Sequence, residues 1–328
     1  MKVLFLGAMY AYNDPSRGYS YEYEVLYLSL QCTQGVVDAK FMDVYASGDA
    51  SHRVLDVAAD FDYIIYAPYT GALSPAVIEV LALRRPTFVF FLDDTWRLSF
   101  VKSYASVATG FSTSDPFFRY RYRDQLGSPV FVPFGYEPFD PDLDRGWGSR
   151  GISVSFIGSR DDYRDYVVRF LAKKGIEVSC FGPGWGSSHL SRSEFWGVLG
   201  SSRITLNLSN SRNLDLRFLM SKPKAILRGM RSGKTIEQVK ARHIEAAAAG
   251  ACQLSYFTVG LEEILVPGKE VLCYGSIDEL PDLIGRCLWD EEMTRAVASS
   301  GRDRVAGLRY DPVWSDILGQ LSGRFHAS

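Results

Sequence analysis

Two glutamates, Glu237 and Glu245, are separated by seven residues, and the second opens a run of four alanines that ends at Gly250. This pattern predicts a helix over residues 236–249 that the glycine closes. Residues eight apart on a helix are rotated by about 80° from one another. Both carboxylates can therefore reach one ligand only if Glu237 lies in the preceding loop or in the first turn. The alternative is an ordinary helix whose glutamates are solvated.

The segment that leads into this helix is strongly basic. Residues 209–242 hold nine lysines and arginines against only Asp215 and Glu237. They follow a predicted strand at 204–208, where a ligand-facing loop is expected. Fixed cations and helix N-terminal N–H groups stabilise a leaving phosphate without a metal. Lys240 is the first candidate for this role, and Arg160, just past a predicted strand at 152–157, is the second. The alternatives are a solvated loop or a patch for anionic lipid or a partner.

A second pair of carboxylates, Asp93 and Asp94, ends an apolar run at 87–92 that predicts a strand. At least one of them should point toward a ligand, where a carboxylate orients or deprotonates an acceptor hydroxyl. Capping of a following helix at 95–104 explains the same residues equally well. Gly7 ends the first predicted strand and permits close approach of the backbone.

Other motifs are rejected on their spacing or position. Residues 229–235 imitate a phosphate-binding loop but have three residues between the glycines where four are required. Asp140 and Asp142 imitate a metal-binding Asp-x-Asp pair, but they lie in a proline-rich segment away from any predicted strand end. No metal site and no cofactor are predicted.

Composition narrows the class of protein. The 328 residues carry a net charge of −2, which argues against bulk binding to nucleic acid. Residues 1–148 hold 12 basic against 18 acidic side chains, whereas residues 149–328 hold 24 against 20, so the second half favours an anionic ligand. Five widely spaced cysteines predict a reduced, cytoplasmic protein. No apolar run is long enough to span a membrane, although peripheral association stays open. The short apolar N-terminus predicts a buried strand and not a signal peptide.

Apolar runs alternate with amphipathic stretches in two similar halves. This rhythm predicts an α/β protein with two Rossmann-like domains that face one another across a cleft. We expect domains at residues 1–148 and 149–308, and a C-terminal helix in 309–328 that packs back on the first domain. Predicted strands are 3–6, 39–44, 63–67, 87–92, 107–111, 130–132, 152–157, 177–181, 204–208, 252–254 and 271–274.

Residues 238–250, followed by Gly-Leu-Glu-Glu-Ile-Leu-Val-Pro-Gly-Lys-Glu-Val at 260–271 and by Asp278-Glu279-Leu280, resemble one family closely. They are similar to the C-terminal domain of the CgeB-like glycosyltransferases, a branch of the GT-B fold related to glycosyltransferase family 4. The segments 155–159, 181–185 and 206–208 fit as well. The resemblance covers roughly residues 150–308, and the N-terminal half resembles the family only in its layout.

The resemblance implies transfer of a sugar from a nucleotide sugar to a saccharide or other hydroxyl acceptor, without a metal and with retention of configuration. It implies that the domain at 1–148 binds the acceptor and that the domain at 149–308 binds the nucleotide sugar. It matches Glu245 to the ribose-binding glutamate and Glu237 to the glutamate that faces the donor sugar. It places Lys240 and Arg242 near the diphosphate. The predicted donor site also contains Arg160, Gly158, Asn207 and Gly250, and the predicted catalytic set contains Glu237, Lys240, Asp93 and Asp94.

Two features depart from the family pattern. The stretch between the glutamates lacks the usual glycines, and His52 is the only histidine of the first half. A sugar-nucleotide epimerase on the same fold and a non-catalytic protein that binds sugar nucleotides are therefore kept as alternatives.

Overall fold

The computed structural model describes residues 1–46, 48–92, 94–117, 129–139, 146–186, 189–208, 215–225 and 237–327. The chain forms two compact units, one of Met1–Pro138 with Gly307–Ser328 and the other of Phe139–Ala306. Each unit is built on one parallel sheet, so the predicted pair of parallel-sheet α/β domains is confirmed.

The first unit has a six-stranded sheet in the order β2-β1-β3-β4-β5-β6. Its strands are β1 (Lys2–Gly7), β2 (Asp38–Asp43), β3 (Tyr63–Tyr66), β4 (Thr87–Val89), β5 (Gly110–Thr113) and β6 (Val130–Phe131). Its helices are α1 (Leu28–Gln31, continuing a π-helical stretch at Glu22–Tyr27), α2 (Ala50–Val57), α3 (Pro75–Ala82), α4 (Leu98–Ala105) and α12 (Tyr310–Ala327). The strand predicted at 107–111 starts three residues later, because the turn that ends α4 continues to Ala108.

Alternation of side chains along β1 separates two cores. Leu4 and Leu6 face a core shared with α2, α3 and α4. Val3 and Phe5 face the other side, where α12 contributes Trp314. Successive strand residues point to opposite faces, so a strand buried on both sides is apolar throughout.

The second unit has a five-stranded sheet in the order β11-β10-β9-β7-β8. Its strands are β7 (Ile152–Ile157), β8 (Ser179–Phe181), β9 (Ser202–Asn207), β10 (Cys252–Tyr256) and β11 (Leu272–Tyr274). Its helices are α5 (Asp162–Lys173), α6 (Arg192–Ser201), α7 (Leu216–Ser221), α8 (Ala241–Ala248), α9 (Leu261–Ile264), α10 (Leu280–Trp289) and α11 (Glu291–Val305). Short 3-10 turns in the two units are Ala11–Asn13, Pro15–Arg17, Ala58–Asp60, Trp147–Ser149, Ile277–Glu279 and Ala306–Leu308.

Helix α8 begins later than the sequence predicts. Lys240 has extended φ and ψ angles of −126° and 161° and is the N-cap, so the first helical residue is Ala241. Glu237 consequently lies in the loop before the helix and not on it. This position meets the condition under which Glu237 and Glu245 can serve one ligand.

Candidate functional site in the second unit

The second sheet has a topological switch point between β7 and β9. Strand β7 has β8 on one side and β9 on the other, so the chain leaves β7 in one direction and later returns on its opposite side. Open parallel sheets bind ligands in the crevice that forms beyond the carboxyl ends of the strands at this point. The residues at these ends are Ile157 and Gly158 after β7, and Asn207 and Leu208 after β9.

Glycines let the loops after β7 and β8 meet through their backbones. Gly182 has a φ of +110°, and a Cβ atom there would lie 2.9 Å from the Gly158 carbonyl oxygen. The Gly158 N–H donates to Phe181 O at 2.9 Å, and Trp185 Nε1 donates to Gly158 O at 3.0 Å. The loops after β7 and β8 are therefore held close together at Gly158, which is a predicted donor-site residue.

Arg164 joins the two strand ends of the switch point. It lies in the first turn of α5, where the Asp161 carboxylate accepts from its N–H at 2.9 Å. Its Nη1 donates to Ser159 O at 2.9 Å, and its Nη2 donates to Leu208 O at 3.3 Å. Arg164 was not among the predicted site residues, although an aspartate N-cap just beyond a strand–glycine pair marks a helix start at the ligand edge.

The N-terminal end of α8 lies over the same edge. The Arg242 guanidinium donates to the Ile157 carbonyl oxygen, and the Tyr256 hydroxyl donates to Gln238 O at 3.5 Å. The Lys240 ammonium lies 5.8 Å from the centre of the Tyr256 ring and 4.0 Å from the Glu237 carboxylate. Helix N–H groups and two cations thus converge on the carboxyl ends of β7 and β10.

His243 holds this helix end in place. The Lys240 N–H donates to His243 Nδ1 at 3.0 Å, and His243 Nε2 lies 2.9 Å from Ser255 Oγ. Ser255 Oγ donates in turn to Tyr256 O at 3.0 Å. Because Nδ1 accepts, the ring proton belongs on Nε2. Complete burial lowers the pKa of His243 to about 3, so the ring is neutral at neutral pH. It supports the helix end through hydrogen bonds and does not act as a general acid.

Glu245 is buried between two arginines. Its Oε1 lies 2.7 Å from Arg192 Nη2, and its Oε2 lies 3.4 Å from Arg242 Nε. Both guanidinium groups also lie over the Phe195 ring, at 4.3 and 4.8 Å. Sequence reasoning missed Arg192, whose signal is the capping box that starts α6 at Ser191. Each carboxylate oxygen can accept a further hydrogen bond, which the predicted contact with ribose hydroxyls requires. The ribose-binding role of Glu245 stays a prediction.

The site carries an excess of positive charge. Burial and the neighbouring Arg192 and Arg164 lower the pKa of Arg242, while Glu245 opposes that shift. Three arginines and Lys240 carry four positive charges here, against three negative charges on Glu237, Glu245 and Asp161, the last of which lies 3.5 Å from Arg164. A cluster with a net positive charge suits an anionic ligand, such as a diphosphate.

Asn207 supplies an unused donor at the switch point. Its side chain is 5% exposed, and its Nδ2 has no hydrogen-bond partner among the residues that the structure describes. Its carbonyl oxygen accepts from the Tyr274 hydroxyl at 3.0 Å, which fixes the backbone. A buried amide without a partner is costly unless a ligand or water satisfies it.

Arg160 and Gly250 occupy different surroundings. Arg160 lies at the ligand edge, but its Nε donates to Asp165 at 3.0 Å and its Nη1 to Gly184 O at 3.3 Å. Gly250 has a φ of +65° and closes α8 two residues before β10 begins, at the opposite edge of the sheet. This position gives Gly250 a capping role and separates it from Gly158 and Asn207.

The basic segment is described only in part. Arg217 pairs with Asp278 at 2.8 Å, and Lys222 lies 3.6 Å from Asp162. Both cations thus form ion pairs with acidic side chains of the second unit. Arg212, Arg228, Arg231 and Lys234 lie outside the described residues.

The two carboxylates that were predicted to act on the acceptor, Asp93 and Asp94, belong to the first unit. Asp93 lies outside the described residues. Asp94 is fully buried, and its carboxylate accepts from the Thr113 hydroxyl and, at 3.0 Å, from Ser114 Oγ. Helix α4 has Arg97 as its N-cap, so Asp94 does not cap it either. The geometry does not support contact of Asp94 with an acceptor, because its oxygens bind the end of β5.

Asp94 is expected to make stability depend on pH. Burial raises its pKa from 3.8 to about 6, although hydrogen bonds from Thr113 and Ser114 oppose the shift. A raised carboxyl pKa means that the folded state binds the proton more tightly than the unfolded state does. The contribution of Asp94 to the free energy of unfolding is therefore most favourable below pH 3.8 and decreases as the pH rises from 3.8 to 6. Relative to Asp94→Asn, the wild-type free energy of unfolding should fall by up to about 3 kcal/mol between pH 4 and 7. Urea unfolding of both proteins across this range measures it, and a pH-independent difference would contradict the prediction.

Across the described ranges, no three histidine, cysteine or acidic side chains are grouped to hold a metal ion. Within the same ranges, no helix combines the length and the apolar character needed to cross a bilayer.

Most of the second unit is similar to a known family. A family model described as glycosyl transferase-like matches residues 164–314, from the first turn of α5 into α12. The match includes Arg164, Arg192, Asn207 and the whole of α8. No curated protein matches the chain in sequence.

Solved structures give the fold. The Anabaena protein HepE, solved in complex with UDP-glucose, is 15% identical with a TM-score of 0.59, and the alignment covers 100% of both chains. Sucrose-phosphate synthase from Thermosynechococcus elongatus is 10% identical at the same TM-score and coverage. A putative UDP-N-acetylglucosamine 2-epimerase from Listeria monocytogenes is 11% identical with a TM-score of 0.55, over 100% of this chain and 97% of that one. The chain therefore has the GT-B fold, and with the family match this supports a glycosyltransferase in general terms.

Proposed function

We propose that the protein transfers a sugar from a nucleotide sugar to a hydroxyl group of a saccharide or other acceptor. The observation that carries the proposal is the cationic cluster at the β7–β9 switch point, under the N-terminal end of α8. The relation to CgeB-like and family-4 enzymes, and retention of configuration, extend the proposal by resemblance.

The cluster fits a nucleoside diphosphate as the leaving group. Negative charge grows on the diphosphate as the bond to the sugar breaks, and pre-positioned cations and N–H groups stabilise it. Lys240 and Arg242 are proposed to contact the phosphates directly, and Arg164 to fix the strand ends around them. The Anabaena structure holds UDP-glucose, which makes a uridine nucleotide the first donor to test.

The remaining residues are proposed to bind the rest of the donor. Glu245, which the two arginines hold in one orientation, would accept from the ribose hydroxyls. Asn207 Nδ2 would donate to an oxygen of the bound nucleotide and so gain its missing partner. Glu237, in the loop before α8, would face the donor sugar.

Thermal-shift measurements with nucleotides test this proposal. UDP, UDP-glucose and UDP-N-acetylglucosamine should raise the melting temperature more than ADP or GDP do. A ligand present at about 100 times its dissociation constant stabilises the folded state by about 2.7 kcal/mol. Absence of a shift with every nucleotide, together with absence of transfer from every nucleotide sugar, would sink the proposal.

Lys240→Ala is expected to lower turnover by about 10²- to 10³-fold, since it removes a group that acts mainly in the transition state. Steady-state rates of donor consumption measure this effect. Lys269→Ala, an exposed lysine of the same unit, is the matched control and should leave turnover unchanged. Equal rates in Lys240→Ala and the wild type would remove Lys240 from the catalytic set.

One observation favours an epimerase as a second candidate. The Listeria structure is described as a putative UDP-N-acetylglucosamine 2-epimerase and shares the fold over the full length of this chain. The two activities differ in their products. Incubation with UDP-N-acetylglucosamine and no acceptor should leave the sugar configuration unchanged for a transferase, and conversion to the 2-epimer would favour the epimerase.

A further inference from the structure

The loop that follows β1 in the first unit is unusually well fixed. Tyr10 and Tyr19 pair as an antiparallel bridge, and the Ala11 N–H donates to Gly18 O at 3.0 Å. The Asp14 carboxylate accepts from the Ser16 N–H at 3.0 Å. Strand β1 lies between β2 and β3, so this loop leaves the carboxyl edge at the switch point of the first sheet.

The tip of this loop is strained and exposed. Tyr12 and Asn13 both have a φ of +57°, a region that a tyrosine rarely occupies. Tyr12 is 66% exposed, so packing does not explain why a large ring is present there. Glycine would relieve the strain. Non-glycine residues held in such conformations concentrate at binding and active sites.

A second loop supports the exposed ring. The Tyr12 and Tyr69 rings meet edge to face at 5.8 Å. The Tyr69 and Thr70 N–H groups donate to the Tyr45 hydroxyl at 2.9 and 2.7 Å, and Arg97 donates to Tyr69 O at 3.0 Å. Tyr69 follows β3, the other strand of the switch point. Both strand ends thus contribute to one aromatic surface.

Tyr19 is a second exposed ring of the same loop. It is 45% exposed, stacks on Tyr10 at 5.5 Å and contacts the Tyr23 ring at 5.0 Å. The Arg17 guanidinium lies 4.8 Å from the centre of the Tyr12 ring. We name Tyr10, Tyr12, Tyr19 and Tyr69 the tyrosine platform.

We propose that the tyrosine platform binds a neutral saccharide, which serves as the acceptor of the proposed transfer reaction. A rigid aromatic ring offers an apolar face for the C–H side of a sugar and a phenolic oxygen for its hydroxyls. The first 148 residues hold 12 basic against 18 acidic side chains, which disfavours a phosphorylated or uronic-acid ligand. The polar Asn13, Asp14 and Arg17 around the ring disfavour a purely apolar ligand. This inference rests on the proposed function for its catalytic meaning.

Binding of the full-length protein to a panel of neutral and uronic-acid oligosaccharides, in the presence of UDP, tests the inference. The wild type should bind at least one neutral member and prefer it over every acidic member. Tyr12→Gly removes the ring and relieves the positive φ, so a loss of binding cannot be assigned to backbone strain. Its affinity for the neutral oligosaccharide is expected to fall at least tenfold.

Matched variants separate the ring from the hydroxyl and from general aromatic exposure. Tyr12→Phe keeps the ring and should retain most of the affinity. Trp289→Ala removes a ring that is 86% exposed in the other unit, and affinity should not change. Binding of acidic oligosaccharides only, binding of none, or unchanged binding by Tyr12→Gly would overturn the inference.

The UDP thermal shift distinguishes the two failures. A wild-type shift with UDP but no saccharide binding would overturn the tyrosine platform alone. Absence of a shift with UDP and with every other nucleotide, together with absence of transfer from every nucleotide sugar, would overturn the proposed donor site, whatever the saccharides do.

Discussion

Replacing Glu245 with alanine is expected to weaken UDP binding at least tenfold and to destabilise the second unit. The carboxylate is proposed to bind ribose, and a hydrogen bond to a charged group contributes about 1.5 to 3 kcal/mol. Its loss also leaves Arg192 and Arg242 facing one another with their shared counter-charge removed. Removal of one partner of a buried ion pair lowers the free energy of unfolding by about 3 to 5 kcal/mol. Because the two arginines are partly exposed, the loss in Glu245→Ala is expected to be about 3 kcal/mol or less.

Uridine and UDP together reveal which role of Glu245 dominates. If the carboxylate binds ribose, Glu245→Ala should weaken both ligands by the same factor. If it only orients the arginines, UDP should weaken and uridine should not. Glu177→Ala, an exposed glutamate of the same unit, controls for loss of charge. Unchanged affinity for both ligands would exclude Glu245 from the site.

Replacing Trp314 with alanine is expected to destabilise the first unit by about 3 to 5 kcal/mol. This side chain of α12 is fully buried, lies 5.2 Å from the Phe90 ring and 6.1 Å from the Phe5 ring, and donates from Nε1 to Leu26 O at 3.0 Å. The substitution leaves a cavity and removes the partner of a buried carbonyl group.

Differential scanning calorimetry measures the effect and reports each transition separately, since a chain of two units need not unfold in one step. Trp314→Phe should recover much of the loss because it restores most of the ring volume. Trp289→Ala, at an exposed position, should change stability by less than about 0.5 kcal/mol. A loss of that small size in Trp314→Ala would contradict the proposed anchoring of α12.

Much of the fold could be predicted because it depends on local patterns. Continuous apolar runs such as 3–6 predict strands that are buried on both faces, and the alternation of strands with helices predicts parallel sheets. The predictions were wrong at some element boundaries, where local signals compete. The helix predicted from residue 236 starts at Ala241, because Lys240 adopts an extended conformation although the sequence of this segment favours a helix.

The candidate site was only partly predictable because its residues come from distant parts of the chain. Lys240 and Arg242 could be named from one basic segment, yet their relation to the Ile157 and Gly158 strand end needs the fold. Arg164 and Arg192 carry no unusual sequence signal beyond their helix caps. Asp94 shows the opposite case, because its position at a strand end suggested chemistry and its burial assigns it to structure.

The sequence by itself determined the class of architecture and the segment that contains the glutamates, since periodicity and spacing are properties of neighbouring residues. Tertiary structure alone decided which charges meet. It placed Arg192 against Glu245, left Asn207 Nδ2 without a partner among the described residues, and separated Gly250 from the ligand edge. The physical reason is that electrostatic and hydrogen-bond energies depend on distances of a few ångströms, and these distances are set by the packing of elements far apart in the chain.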